Sequence, residues 1–365
     1  MSLPDYNAPA MSRSASQRRL PAEWDPQSGV MLTWPHGAGD WAAVLPDVEP
    51  VFFSIALHIA HRESLFINCA TASQRDQLRA SLIQSGAPPD HLFMAVVPSN
   101  DTWTRDYGPL TVFEHGRPRL LDFRFNGWGN KYPAQADNAI TTQLAGSGRF
   151  GSTVFEPIDL VLEGGSIESD GDGTLLTTSR CLLHPQRNPG YTREMLAGKL
   201  GALLGGERLL WLEHGGLAGD DTDGHIDMLA RFCDPSTIVY QSCSESGYEW
   251  YQELKAMEDE LRQLRTVQGE PYRLLALPWP GATFAADGAR LPASYANFLV
   301  INDAVLIPGY DDPADSEAAR LLQCGFPDRE IVQIPCSALI QQYGSLHCLT
   351  MQFPKGVEFR ASITG

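Results

Sequence analysis

Four short segments of this chain set reactive side chains beside turn residues. The first, Asn100-Asp-Thr-Trp-Thr-Arg-Asp106-Tyr-Gly-Pro109, gathers Asp101, Arg105 and Asp106 around Trp103 and a Gly-Pro turn. A carboxylate beside an aromatic ring suits a planar cation, because the acid accepts its N–H bonds and the ring covers its face. The run also reads as a surface turn closed by a local Asp–Arg pair. The second segment, Leu162-Glu163-Gly-Gly-Ser166-Ile-Glu168, puts Glu163 at a strand end before two glycines. Such glycines let the backbone approach a ligand closely, and they equally mark a bulge or a tight turn.

The third segment runs from His214 to Asp227 and holds two histidines and four aspartates within fourteen residues. His225 and Asp227 stand two apart where an extended run, Met228–Phe232, begins. In extended backbone such residues share a face, so an imidazole and a carboxylate would meet one pocket, and Asp221 lies in the loop before them. His and Asp are also good zinc or manganese ligands, so a metallohydrolase built on His214, His225 and Asp227 is a rival reading. A solvated acidic loop is the plain one. The fourth segment is Tyr343-Gly344-Ser-Leu-His347-Cys348-Leu-Thr-Met-Gln352. It reads as a nucleophile at a loop–strand junction or as one more buried cysteine. Neighbours in a strand point apart, so His347 is a poor base for Cys348, and His225 is the better candidate.

These groups need elements to hold them. Apolar alternation predicts strands over Val30–Trp34, Leu65–Cys69, Phe93–Val97, Leu120–Phe125, Leu160–Leu162, Thr174–Thr178, Leu209–Leu212, Met228–Phe232, Thr237–Gln241, Leu274–Leu277, Phe298–Ile301, Val305–Pro308 and Ile331–Ile334. Helical spacing falls near Val48–His61, Ser73–Ser85, Arg193–Leu204, Gly247–Leu264 and Asp315–Cys324. A hairpin, a helix and a strand follow one another over 298–334 and, more loosely, over 174–212. Periodicity alone leaves open a mixed α+β fold or a ring of repeated units.

Composition narrows the function classes. The 365 residues are 43% hydrophobic and 19% charged, a globular balance, and Gly and Pro mark many turns rather than one boundary. A single domain over 1–365 is expected, with 1–20 as a flexible N-terminal segment. A net charge of -17 repels nucleic acid and anionic lipid; it suits a small cationic partner, and it reads first as a plain solubility feature. The seven cysteines are odd in number and widely spaced without a C-x-x-C pair, which argues against a disulfide framework or zinc cluster. No secretory or membrane-spanning run is visible, so the cytoplasm is the expected compartment.

In this order the segments resemble the agmatine deiminase and bacterial-type peptidyl-arginine deiminase family, within the guanidino-group-modifying superfamily. Further matches are Pro21-Ala-Glu-Trp24, Thr33-Trp-Pro35, Phe123-Arg-Phe-Asn-Gly-Trp-Gly129, Leu175-Leu-Thr-Thr178 and Ser294-Tyr-Ala-Asn297-Phe. The resemblance implies an α/β fold, a five-bladed α/β propeller (pentein fold) of ββαβ repeats with pseudo-five-fold symmetry. It implies Cys348 as nucleophile, His225 as general acid/base, Asp106 and Asp227 as guanidinium clamps, and Glu163 orienting the histidine. Trp103, Asn297, Asp221 and Gly344 are the expected substrate contacts. No metal or organic cofactor is implied, and by analogy alone a homodimer is.

Departures loosen the substrate. The family's biosynthetic members carry Gly-Gly-Gly-Asn-Ile-His-Cys where this chain has Tyr343-Gly-Ser-Leu-His-Cys, and Asn-Asp-Glu-Thr where it has Gly219-Asp-Asp-Thr222. Agmatine is the first expectation and yields N-carbamoylputrescine, a step in putrescine and polyamine biosynthesis. Peptidyl-arginine and other small guanidino compounds are the alternatives. The missing leader weighs against peptidyl-arginine, and free arginine would need Arg124 or Arg187 for its carboxylate.

Overall fold

The computed structural model describes residues 18–361, which form a mixed α/β fold with five small sheets. Four of the sheets repeat one recipe: an antiparallel pair, a helix, and a third strand parallel to the second. They are Leu110–Glu114, Arg117–Arg124 and Val154–Val161; Glu168–Ser169, Thr174–Thr178 and Arg208–Leu212; Ala230–Asp234, Thr237–Gln241 and Arg273–Leu277; and Leu299–Ile301, Ala304–Gly309 and Glu330–Pro335. Their helices are Asp137–Gly146, Arg193–Leu204, Tyr251–Gln263 and Asp315–Gly325.

The remaining sheet is assembled from both ends of the described chain. Gln27–Thr33, Ser64–Cys69 and Leu92–Val96 run parallel, with helices Leu45–Ala60 and Ala72–Gln84 between them. Their antiparallel mate is Thr350–Pro354, so Gln27 pairs with Pro354. Short-range periodicity carries no trace of that pairing.

Local chemistry sets the helix ends. Thr71 and Thr192 accept from the N–H groups of Gln74 and Met195, which satisfies donors at each helix start. Gly205 closes the 193–204 helix at φ 74, in the left-handed region that favours glycine. Of the segment 1–20 expected to be flexible, only residues 18–20 are described, and they are ordered. Arg18 and Arg19 form a short strand against Phe113–Glu114, held by Arg18 ion pairs to Glu114 and Glu156, while residues 1–17 lie outside the described residues.

The predicted strand at Met228–Phe232 is also corrected. Residues Ile226–Met228 form a 3-10 turn, and the strand begins at Ala230. His225 and Asp227 therefore do not share a face by strand alternation.

Candidate active site

Each sheet's last strand leads to the next sheet through a connection that contains a tight turn, and all five connections meet. The turns are Thr104–Tyr107, Gly164–Ser166, Ile226–Met228, the segment 294–297, and His347–Leu349. They bring Asp106, Gly165, His225 with Asp227, Asn297 and Cys348 to one site, although the residues span 242 positions of sequence (106 to 348). Every one of these side chains is buried.

The nucleophile candidate sits where the turn meets the strand Thr350–Pro354. Asn297 Nδ2–H donates to Cys348 Sγ at 3.2 Å and to Asp227 Oδ2 at 3.2 Å. Asn297 Oδ1 accepts from the backbone N–H of His347 and of Cys348. Asn297, expected against the substrate, thus stands behind Cys348 and fixes its loop. Asp227 Oδ2 lies 3.8 Å from Cys348 Sγ. Burial pushes the Cys348 thiol well above its usual range, and the Asp227 and Asp106 charges add to this.

Asp106 is held by both of its oxygens. The Trp128 indole N–H donates to Oδ2 at 2.9 Å, and the Gly165 backbone N–H donates to Oδ1 at 3.0 Å. Burial pushes Asp106 up to about 6 against the pull of His225, whose Nδ1 is 3.6 Å from Oδ1. Burial alone would make His225 less basic, but Asp106, Cys181 and Glu163 outweigh it and raise its pKa well above the usual value. Both shifts favour a neutral thiol beside an imidazolium. Among the buried polar atoms without a hydrogen-bond partner in the described residues, two belong to this site, His225 Nε2 and Asp227 Oδ1. Buried polar groups are almost always paired, so Asp227 Oδ1 is a natural acceptor for a ligand N–H.

Gly165 explains the Glu-Gly-Gly segment. A Cβ there would lie 2.6 Å from His225 Nδ1 and 2.9 Å from Asp106 Oδ1. Gly165→Ala should displace both groups and lower turnover by about 100-fold, the usual effect of an ångström-scale misplacement. Ammonia release set against the thermal midpoint checks this, since a folded variant with full turnover is the contrary outcome.

Glu163 is fully buried, and both its oxygens accept from Arg187 Nε at 2.9 Å. Its expected partner His225 is near, with ligating atoms within 4.8 Å, but makes no hydrogen bond to it among the described residues. Cys181 completes that trio, which has the donor set of a soft-metal site. Arg187 already compensates Glu163, which makes the carboxylate a weak ligand. His214 is exposed and bonds Glu260, away from the buried His225 and Asp227, so the metallohydrolase reading loses one of its three ligands. Arg187 also bonds Asp223 and the Thr222 carbonyl, and Arg124 pairs with Asp159 at the surface. Neither is free to meet a substrate carboxylate.

A cleft of about 620 Å³, counted to its open mouth, leads to Cys348. Trp103, Asp106, Asp221 and Gly344 line it, as do Asp40 and Asp220, and its described lining holds no Lys or Arg. Gly344 lies flat on Trp103, where a Cβ would come within 2.3 Å of the ring. Trp128 and Tyr132 also line the cleft, and sequence reasoning gave them no role. Trp128 adopts φ 53, uncommon for a bulky residue, between the left-handed Gly127 and Gly129. That conformation aims its indole at Asp106. The Gly-Trp-Gly pattern was the available signal. Tyr132 and Lys131 bond Asp221 and Asp223, which fixes the acidic loop over the cleft.

The chain is similar to known proteins over nearly its whole length. The sequence model of the Porphyromonas-type peptidyl-arginine deiminase family matches residues 19–354. A Porphyromonas gingivalis structure provisionally described as an arginine deiminase is 47% identical, with a TM-score of 0.87, over 94% of this chain and 100% of that one. An agmatine deiminase of C. jejuni, solved with substrate bound, is 32% identical with a TM-score of 0.86, covering 93% and 97% of the two chains. The agmatine deiminase of Pseudomonas putida is 32% identical over 93% of this chain and 96% of its own length.

Proposed function

The chain belongs to the Porphyromonas-type peptidyl-arginine deiminase family, and from that premise we propose that it hydrolyses agmatine to N-carbamoylputrescine and ammonia. It is a hydrolase of carbon–nitrogen bonds in linear amidines. The observation that carries the substrate choice is the acidic, cation-free lining of the cleft. Agmatine is cationic at both ends. Its guanidinium meets Asp106 and Asp227, and its amine meets Asp221, Asp220 and Asp40 near the mouth. The α-carboxylate of free arginine would meet those same acids and be repelled.

The roles follow from the chemistry of the guanidinium. It stays cationic at neutral pH, so its carbon is a poor electrophile and the site must supply anions. The clamp aligns the carbon with Cys348. Burial and the two carboxylate charges keep the thiol protonated; the bound cation offsets those charges, so Cys348 ionises on binding. Sulfur attacks carbon, His225 gives its proton to one nitrogen, and ammonia leaves. An S-alkyl thiouronium remains. Neutral His225 then takes a proton from water, the hydroxide attacks carbon, and the C–S bond breaks to release the ureido product. Neither a metal nor an organic cofactor enters.

Substrate-assisted ionisation has its own test. In the free protein, alkylation of Cys348 by iodoacetamide, followed on its own peptide by mass spectrometry, should be slow at pH 7 and climb beyond pH 9. Fast, pH-independent alkylation near neutrality contradicts it.

The five similar sheets and five converging connections support a closed five-bladed ring with the site on its axis and a single domain over the chain. Seven unpaired cysteines support a reducing cytoplasm, and no helix among the described residues is long and apolar enough to cross a membrane. The deciding experiment is ammonia release from a panel of agmatine, free arginine and an arginyl peptide. Agmatine should give the highest kcat/KM. Release from the peptide alone would move the substrate to protein-bound arginine and leave the chemistry standing. Activity should survive EDTA.

A further inference from the structure

Behind the reacting groups lies a buried cluster of charges that the steps above use only at Asp227. Glu23, Glu168 and Asp227 supply three carboxylates, and Arg105, Arg231 and His347 face them, all six buried. Arg231 pairs with Glu23 and Glu168, and Arg105 lies 3.7 Å from Glu23. His347 bridges the other two acids. Its Nδ1 is 2.8 Å from Asp227 Oδ2, and its Nε2 is 2.7 Å from Glu23 Oε2.

A neutral imidazole has a single N–H, so it could donate to one of these carboxylates only. The second proton cannot sit on Glu23. Its Oε1 accepts from the Val300 N–H at 2.7 Å, and its Oε2 accepts from Arg231 Nη2 at 2.8 Å. Asp227 Oδ2 already accepts from Asn297. Burial, Arg105 and Arg231 favour the neutral ring. Against that, burial alone would raise Glu23, and the His347 and Arg231 charges outweigh it and hold Glu23 well below the usual range. These two tendencies conflict, and the two short contacts with acceptor-only oxygens decide for the charged ring.

We propose that His347 is a permanent imidazolium and a positioning residue, which ties Asp227 to Glu23 and leaves Asp227 Oδ1 free for the substrate's N–H. This rests on the clamp role given to Asp227 above. The ring fixes Asp227 through Oδ2, so the oxygen without a protein partner is the one presented. It also tempers the negative charge 3.8 Å from Cys348 Sγ, which makes thiolate formation easier. Glu23, from the Pro21-Ala-Glu-Trp24 segment, thereby gains a reason to be an acid.

Nitrogen-15 NMR of histidine-labelled protein tests the charge directly. His347, assigned by the signal that His347→Gln removes, should show two N–H protons and imidazolium shifts that hold from pH 6 to pH 9. His347→Gln should lower kcat roughly 10- to 100-fold, as loss of an orienting partner does. It should also move the acidic limb of the kcat/KM pH profile upward. Glu23→Gln should release the ring's second proton and reproduce that pH shift. A neutral-ring spectrum for His347 at pH 7 in the wild type overturns the proposal, with ring-to-backbone correlations giving the assignment if His347→Gln fails to fold. So does a His347→Gln enzyme with wild-type kcat and pH profile. Failure of the wild type to act on any guanidino compound would overturn the deiminase reading instead, because the spectrum needs no turnover.

Discussion

Cys348→Ala abolishes ammonia release from agmatine, with turnover lowered by at least about 10⁴-fold, the scale seen when a covalent nucleophile is removed. The reason is electronic. A guanidinium carbon has resonance donation from three nitrogens, and water without a covalent intermediate cannot attack it usefully at neutral pH. The loss should fall on kcat alone. Cys348 binds no part of the substrate before bond formation, and Asp106 and Asp227 keep their supports from Trp128, Gly165, Asn297 and His347. Removing one sulfur also leaves the fold intact. Agmatine should therefore still bind the variant with a Kd within a few-fold of the wild-type value, measured by calorimetry. Full ammonia release by Cys348→Ala would sink the mechanism.

Asp106→Asn should trade activity for stability. One clamp charge is lost where the cation is fully desolvated, and breaking a buried ion pair typically costs about 3–5 kcal/mol, so kcat/KM should fall roughly 10²- to 10⁴-fold. Stability moves the other way with pH. Burial raises the Asp106 carboxyl from its usual value near 3.8 to about 6. A raised carboxylate is harder to ionise in the folded protein than in the unfolded one, so its penalty is absent below about pH 4, grows through the interval and is complete above about pH 6. Asparagine does not titrate. The stability of the variant relative to wild type should thus improve by about 3 kcal/mol between pH 4 and pH 8, from roughly 1.4 kcal/mol per pK unit on a group with no solvent screening. The amide must turn its NH₂ toward Trp128 or Gly165, which shifts the absolute stability but not this difference. Urea midpoints at the two pH values measure it, and a pH-independent difference would refute the electrostatic account of the site.

Much of this was legible in the sequence, and what was not has physical causes. The strand Thr237–Gln241 and the helix Arg193–Leu204 fall where apolar spacing places them, because each carries its own pattern. The helix Asp137–Gly146 was missed. Its buried positions 137, 140, 141 and 144 have the right spacing, but two of them are Asp and Thr, each satisfied by tertiary hydrogen bonds that no local pattern displays. Leu110–Glu114 was hidden behind the Gly-Pro turn that precedes it. At the site, Cys348, His225, Asp106 and Asp227 could be named because their segments resemble a known family. Their supports could not. Trp128 reaches Asp106 across 22 residues and Glu23 reaches His347 across 324, and no local periodicity reports such pairings. The 3-10 turn at Ile226–Met228 defeated the strand reading of His225 and Asp227 in the same way. Tertiary packing at the junction of five connections overrode local alternation.

The antiparallel partner of Gln27–Thr33 is Thr350–Pro354, the strand that Cys348 enters. On a ribosome, the first sheet must wait with an unpaired edge while some 300 residues are made. The nucleophile and the strand that seals that edge then arrive together. A chain that lacks the His347–Leu349 turn and the Thr350–Pro354 strand cannot carry out the reaction, and folding brings the nucleophile and the fourth strand of this sheet into place together.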